Sequence, residues 1–153
     1  MRIGDRQVIG MKTILEKITE ANTCHLAMCD DGRPYVVPMS FGFNGKNLYF
    51  HSSKEGRKID ILKRNNNICF ELATNVEVVS SDVPCNWSTK YYSILGEGKA
   101  VFVNSIEEKK LALDLIMSKY SDSKRYKYSE NILPYVTIIK VEIQKISGKK
   151  SGY

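Results

Sequence analysis

Alternation of large apolar residues with smaller or polar ones over residues 35–43 is the feature that most limits what this chain can fold into. Every second residue from Tyr35 to Phe43 is large and apolar, and Pro38, Ser40 and Gly42 lie between them. A period of two is typical of a strand with one buried face. Asn44-Gly45 follows and favours a tight hairpin turn, after which 48–51 reads as the returning strand. This part of the chain therefore predicts an antiparallel hairpin.

The whole chain predicts about six strands and three helices. Further strands are predicted over 24–29, 68–72 with an extension towards Val78, 91–103 and 135–146; helices are predicted over 5–20, 55–64 and 105–120. The first helix has Asp5 as its candidate N-cap and an apolar face of Val8, Met11, Leu15 and Ile18. Because the strands come in hairpin-linked groups and do not alternate regularly with helices, the fold is predicted as a mainly antiparallel sheet or barrel with flanking helices.

The chain length and the net charge limit the classes of protein to which this chain can belong. At 153 residues, the chain is predicted to form a single domain over 1–153. No apolar run approaches the ~18 residues of a membrane helix, and no signal-peptide core follows the first residues, so we expect a cytoplasmic protein with no membrane partner. The net charge of +6 favours anionic partners without choosing among nucleic acid, phosphate esters and acidic surfaces.

Cysteine and histidine content limits the thiol and metal chemistry. No two cysteines have the two-residue spacing of a zinc or redox motif. We expect all four to be small buried apolar residues, with one reactive thiol as the alternative: Cys24, Cys29, Cys69 and Cys85. With only His25 and His51 present, no histidine-rich metal centre is expected. His25 lies next to Cys24 in a strand, so their side chains should face opposite sides, and His25 is expected to be structural.

The segment most informative about chemistry is 51–58, where a strand gives way to a helix. Three cations fall within five residues of it: Lys54, Arg57 and Lys58. A helix N-terminus is already positive, so each cation there costs about 0.3–1 kcal/mol unless an anion is bound. The hydroxyls of Ser52 and Ser53, free backbone N–H groups and a flexible Gly56 suit a phosphate monoester. The alternative is a solvated basic helix face with a serine cap. His51 adjoins this segment and is a candidate functional residue.

Two further features are open to a structural or a functional interpretation. Pro38 cannot donate a ladder hydrogen bond, so the segment Pro38-Met39-Ser40-Phe41 suits a sheet edge, which a flat aromatic ligand can use for main-chain contacts. The alternative is an ordinary edge strand. Trp87 lies among polar residues and tyrosines, and it can wall a pocket, enter a subunit interface or belong to the core.

Together these motifs resemble the pyridoxamine 5′-phosphate oxidase-related superfamily of FMN-binding split barrels. Within it, they resemble the Nim-type (5-nitroimidazole resistance) flavoproteins. The resemblance covers roughly residues 2–149 and is carried by three segments: Pro34-Tyr35-Val36-Val37-Pro38-Met39-Ser40-Phe41, Leu48-Tyr49-Phe50-His51-Ser52-Ser53-Lys54-Glu55-Gly56-Arg57-Lys58 and Ser93-Ile94-Leu95-Gly96-Glu97-Gly98-Lys99-Ala100. One departure is Tyr92, where many relatives have an arginine before the serine that matches Ser93.

The resemblance implies a split β-barrel and a homodimer that holds FMN in a groove between subunits, with FAD as the alternative cofactor. It assigns the flavin phosphate to the segment 51–58, through Ser52, Ser53, Lys54, Gly56, Arg57 and Lys58. It assigns the isoalloxazine to main-chain groups of Pro38, Met39, Ser40 and Phe41. His51 is implied to lie near the flavin, and Trp87 to lie near the second subunit's side of the groove.

The implied function is that of a flavin-dependent oxidoreductase that reduces nitroaromatic compounds with electrons from NAD(P)H. His51 is the candidate catalytic residue, since an unperturbed pKa of ~6.5 allows imidazole to donate a proton near neutrality. The alternative is a flavin-binding or sensing module without turnover. A basic nucleic-acid-binding barrel that stacks bases on tyrosines is a third hypothesis. It is disfavoured because the cations cluster at one helix start and do not form a long stripe.

Overall fold

The computed structural model describes residues 9–123 and 126–153. The helices are α1 (Met11–Glu20), α2 (Arg57–Arg64) and α3 (Ile106–Tyr120). The strands are β1 (Cys24–Asp30), β2 (Arg33–Met39), β3 (Gly42–Phe43), β4 (Asn47–Ser52), β5 (Asn67–Val79), β6 (Ser88–Val103) and β7 (Thr137–Ser151). Two 3₁₀ turns cover Pro84–Asn86 and Leu133–Tyr135. None of the helices in the described ranges is long and apolar enough to cross a membrane.

The seven strands form one antiparallel sheet in the order β2-β1-β5-β6-β7-β4-β3. Strands β2 and β3 are its two edges, yet only Ser40 and Phe41 separate them along the chain. A flat sheet with strands ~4.8 Å apart would hold its edges about 29 Å apart. Three extended residue steps span at most about 11 Å. The sheet therefore curls until its edges meet, and the predicted mainly β split barrel with flanking helices is confirmed.

The strand count differs from the prediction because the predicted strand 35–43 is divided into β2 and β3. At the division, the backbone N–H of Phe41 donates to the hydroxyl of Tyr120 on α3, at 3.2 Å. The chain turns there from one sheet edge to the other. Strand β7 also continues to Ser151, beyond the predicted end at 146.

The first helix begins later than predicted. Asp5 and Val8 lie outside the described residues, and Gly10 precedes α1 in an extended conformation. Met11, assigned to the apolar face, is exposed. Ile14 and Ile18 are the buried residues of the helix, and i, i+4 spacing places them on one face.

The barrel interior is filled by alternate residues of the strands, as the period of two requires. Its largest fully buried members are Leu26, Phe41, Leu48, Phe50, Phe70, Leu72 and Ile94. A smaller cluster lies on the outer face of the sheet, where Tyr49, Val103 and Ile138 pack with Ala112 of α3. Strand β4 therefore has two covered faces over most of its length.

The cysteines are only partly as expected. All four are free, Cys24 is buried, and burial raises the pKa of its thiol to about 12. Cys69 is half-buried, and Cys29 and Cys85 are exposed, so the expectation of four buried cysteines holds for Cys24 alone. Cys29 lies on the outward side of β1 because Cys24, Leu26 and Met28 take the inward side. Cys85 lies in the 3₁₀ turn Pro84–Asn86.

Candidate functional site

The junction between β4 and α2 has the backbone geometry of an anion site. Gly56 has φ of 124°, a conformation that L side chains rarely adopt, so the turn into the helix favours glycine. The carbonyl of Gly56 accepts the N–H groups of Ile59 and Asp60, at 2.9 and 3.1 Å. No side chain among the described residues caps this end of α2. The first N–H groups of a helix have no partner within it, so they are oriented to bind an anion.

Two lysines add positive charge to this junction. Lys58, in the first turn of α2, is half-buried and forms no ion pair with the described carboxylates. Burial lowers its pKa because desolvation disfavours the ammonium form. The ammonium of Lys54 lies 4.9 Å from the centroid of the Tyr135 ring and is otherwise exposed. Both charges remain available to an anionic group.

Arg57 connects the start of α2 to the edge strand β2. Its guanidinium lies 4.6 Å from the centroid of the Tyr35 ring and 3.5 Å from Oδ2 of Asp30. Arg64 makes the shorter contact with the same carboxylate, at 2.6 Å. Two arginines, from the two ends of α2, therefore share one carboxylate, and these three groups together keep a net charge of +1.

The segment 38–41 lies further along the same edge. Pro38 is three residues after Tyr35, which corresponds to about 10 Å of extended strand. Pro38 and Ser40 are exposed, whereas Met39 packs partly on the core and the Phe41 side chain is fully buried. A ligand at this segment can therefore contact its main-chain atoms but not the Phe41 ring. One elongated ligand can reach both Arg57 and this segment along the edge of β2.

The residue that anchors this segment has no local signal in the sequence. Tyr120, the last residue of α3, accepts a hydrogen bond from the Phe41 N–H and donates one to the main-chain oxygen of Asn22, at 2.7 Å. The neighbouring Lys119 donates to the main-chain oxygen of Thr19, at 2.7 Å, and lies 4.4 Å from the centroid of the Phe41 ring. The end of α3 thus fixes the position at which β2 becomes β3.

The serines and His51 lie at the end of β4. The hydroxyl of Ser53 donates to the main-chain oxygen of Glu55, at 2.6 Å, so its hydrogen stabilises the loop. The half-buried Ser52 has no side-chain hydrogen bond with the described residues. His51 is exposed opposite Ile138 on β7, while Leu48 and Phe50 point into the core. The imidazole is therefore accessible beside the start of the loop that leads into α2.

Trp87 is not brought to this junction within one chain. Strand β5 pairs with β1 only as far as Glu71, and the β5–β6 ribbon, residues 74–91, continues beyond it. The eight residues from Glu71 to Val79 correspond to about 26 Å. Trp87 is 55% exposed at the far end, where its indole N–H donates to the main-chain oxygen of Ser81 at 2.6 Å.

Tyr92, the departure noted in the sequence, belongs to a separate cluster. Its ring stacks on that of Tyr153 with centroids 5.0 Å apart, and the ammonium of Lys17 lies 4.5 Å from its centroid. It therefore packs with α1 and the end of the chain.

The chain was compared with known proteins. It is similar to the structure of a candidate 5-nitroimidazole antibiotic resistance protein from Bacteroides thetaiotaomicron VPI-5482, with 33% identity and a TM-score of 0.82, over 98% of this chain and 94% of that chain. The FAD and heme binding protein of Mycobacterium smegmatis has a TM-score of 0.85 over 98% of this chain and 75% of that chain. Its identity is 17%, so that likeness shows the fold alone.

Among curated proteins, an uncharacterised protein of Rhizobium meliloti (strain 1021) is 32% identical over 56 residues. The match covers 37% of this chain and 36% of that protein, so it spans about a third of the length of this relative. Residues 11–150 match the family described as pyridoxamine 5′-phosphate oxidase. This match includes β2, the β4–α2 junction and all of the barrel strands, and the chain therefore belongs to the pyridoxamine 5′-phosphate oxidase family.

Proposed function

We propose that this protein binds a flavin, with FMN as the expected cofactor and FAD as the alternative. The observation that carries the proposal is the uncapped, cationic start of α2 beside the exposed edge of β2. Family membership supports it. Lys58, Arg57 and Lys54 would hold the phosphate, together with the first N–H groups of α2 and the hydroxyl of Ser52. Main-chain atoms of 38–41 would face the ring system.

A bound flavin supplies hydride and single-electron transfer, and the protein contributes position, charge and exclusion of water. The proposed reaction is NAD(P)H-dependent reduction of nitroaromatic compounds, a class suggested by the similar protein from B. thetaiotaomicron. His51 would donate a proton to the substrate, because it is exposed at the end of β4, next to the proposed phosphate loop. The competing function is flavin binding or sensing without turnover.

We also propose a homodimer in which each groove is completed by the other subunit. The β5–β6 ribbon carries several exposed apolar side chains: Val76, Val78, Val83 and Trp87. An exposed apolar set of this kind is typical of an interaction surface. Trp87 lies at the far end of the β5–β6 ribbon, away from Lys58 of the same subunit. It can therefore form a wall only of the flavin groove that belongs to the partner subunit. A monomer by light scattering at micromolar concentration, with flavin still tightly bound, would contradict this.

The flavin site is tested by titrating the protein with FMN and with riboflavin, which lacks the phosphate. Replacing Lys58 with alanine should weaken FMN binding by about tenfold to a hundredfold, the effect of one charge-assisted hydrogen bond of ~1.5–3 kcal/mol. Riboflavin binding should change little. Lys46→Ala, which removes an exposed lysine of the β3–β4 turn, is the matched control. FMN binding that Lys58→Ala leaves unchanged, or that Lys46→Ala weakens equally, would overturn the assigned site.

Turnover is tested by NAD(P)H consumption with a 5-nitroimidazole acceptor. For His51→Ala, a proton-donor role predicts unchanged FMN affinity and a rate lowered by ~10²–10⁴. A loop-stabilising role predicts weaker FMN binding and a normal rate at saturating FMN. If FMN binds tightly and no acceptor sustains NAD(P)H consumption, the sensing function replaces the oxidoreductase.

A further inference from the structure

A cationic cavity lies beside α2, and neither Arg57 nor Lys58 lines it. It has a volume of about 330 Å³ and is bordered by α2, the end of β6, α3 and the segment 134–137. Six of its lining residues matter here: Lys54, Ile59, Lys63, Phe102, Asn104 and Lys109. The volume is within the range of small-molecule sites, about 300–1,000 Å³.

Lys109 is the most unusual of these residues because it is a buried charge without a carboxylate partner. Lys109 is only 9% exposed. Among the described residues, it is the one polar or charged residue that is buried. Its ammonium donates to the main-chain oxygens of Val136 and Leu133, at 2.8 and 3.5 Å. A buried ammonium is costly unless it is paired, and neutral carbonyls compensate its charge only in part.

Other lysines near α3 are compensated in the ordinary way. Lys140 lies 3.3 Å from a carboxylate oxygen of Glu108, and Lys110 lies 4.0 Å from one of Glu130. These two lysines therefore have carboxylate partners, whereas Lys109 forms no ion pair with a carboxylate of the described residues.

The charge in the cavity is reinforced by its neighbours. Lys63 and Lys54 also line it, and in the described part of the chain neither forms an ion pair. None of the described lining residues is acidic. Three lysines therefore line one concave space, and low-dielectric walls focus their positive potential there.

We propose that this cavity binds the phosphate group of a small molecule. The lysines and the Asn104 amide would contact the phosphate oxygens, and Phe102 and Ile59 would contact an attached apolar group. The cavity shares Lys54 with the proposed flavin-phosphate site, but Arg57 and Lys58 do not line it, so the two sites differ in most of their residues. It does not depend on flavin binding. Phosphate itself and an organic phosphate monoester share the required chemistry.

The proposal is tested by NMR titration of the ¹⁵N-labelled full chain with inorganic phosphate and with phenyl phosphate at constant ionic strength. We expect saturable shifts of the amides of Asn104, Lys109 and Thr137. Lys63 is exposed, so the Lys63→Gln variant should fold normally. The phosphate affinity obtained from these shifts should be about tenfold or more lower in this variant than in the parent. Lys46→Gln, the matched surface variant, should leave the affinity unchanged. Tighter binding of phenyl phosphate identifies an organic monoester, and equal binding identifies free phosphate.

Three results would overturn the proposal. The first is the absence of saturable shifts at Asn104 and Lys109 with either probe. The second is an equal loss of affinity in Lys63→Gln and Lys46→Gln, which would indicate only general attraction to a basic surface. The third is loss of the shifts in Lys58→Ala together with their retention in Lys63→Gln, which would leave the start of α2 as the anion site. Failure of FMN to bind would leave these outcomes unaffected.

Discussion

Replacing Tyr120 with phenylalanine tests whether the end of α3 fixes the turn between β2 and β3. The change removes one hydroxyl that accepts from the Phe41 N–H and donates to the Asn22 carbonyl. Phe41 is fully buried, so its N–H loses its partner without gaining water, at a cost of about 1–3 kcal/mol. Asn22 is exposed, and water can replace the hydroxyl at its carbonyl. The expected loss in free energy of unfolding is therefore about 2 kcal/mol.

The measurement is urea denaturation of the parent and the variant, with equal m-values as the sign that the denatured states are comparable. Tyr153→Phe is the matched control, because it removes an exposed hydroxyl that bonds to the main-chain oxygen of Asn75 at 2.6 Å and to the Glu77 side chain, where water can replace it. That loss should cost no more than about 0.5 kcal/mol. If Tyr120→Phe is no more destabilising than Tyr153→Phe, the Phe41 N–H does not depend on Tyr120 and the reasoning is wrong.

Three other outcomes are expected. Gly42→Ala should destabilise the fold by about 1–3 kcal/mol in the same urea assay, because its Cβ would lie 2.7 Å from the backbone nitrogen of Ile116. FMN affinity should be highest at neutral pH and should fall as the pH rises through the pKa of Lys58, which burial lowers below its ordinary 10.5, since only the ammonium form attracts phosphate. Fluorescence titration at several pH values should show this fall in the parent and a flatter pH profile in Lys58→Ala. With a chromogenic disulfide reagent, Cys29 should react in the folded protein and Cys24 only after unfolding, because Cys24 is buried and its pKa is raised to about 12.

The parts of the fold that sequence reasoning predicted correctly depend on local interactions. The helix predicted over 105–120 is an example, since α3 begins at Ile106 and the hydroxyl of Ser105 accepts the N–H of Glu108, at 3.2 Å, as its N-cap. The predicted strand 48–51 is another, and in it Leu48 and Phe50 lie inside and His51 outside, because successive side chains of a strand point to opposite faces. The start of α2 was predicted two residues early, at 55, because Gly56 takes a positive φ that delays the helix.

The sequence alone determined a mainly β barrel of this family with a basic strand-to-helix junction at 51–58. These features can be read from the sequence because the periodicity, turn residues and clustered charges that indicate them lie within a few residues of one another. Tertiary structure alone decided which distant residues meet. It brought Tyr120 to Phe41, Arg57 to the Tyr35 ring and Lys63 to the same cavity as Lys109. These contacts depend on how the sheet curls and where α2 and α3 pack against it. No local pattern carries that information, because each side chain would satisfy the same helix or strand periodicity without its partner.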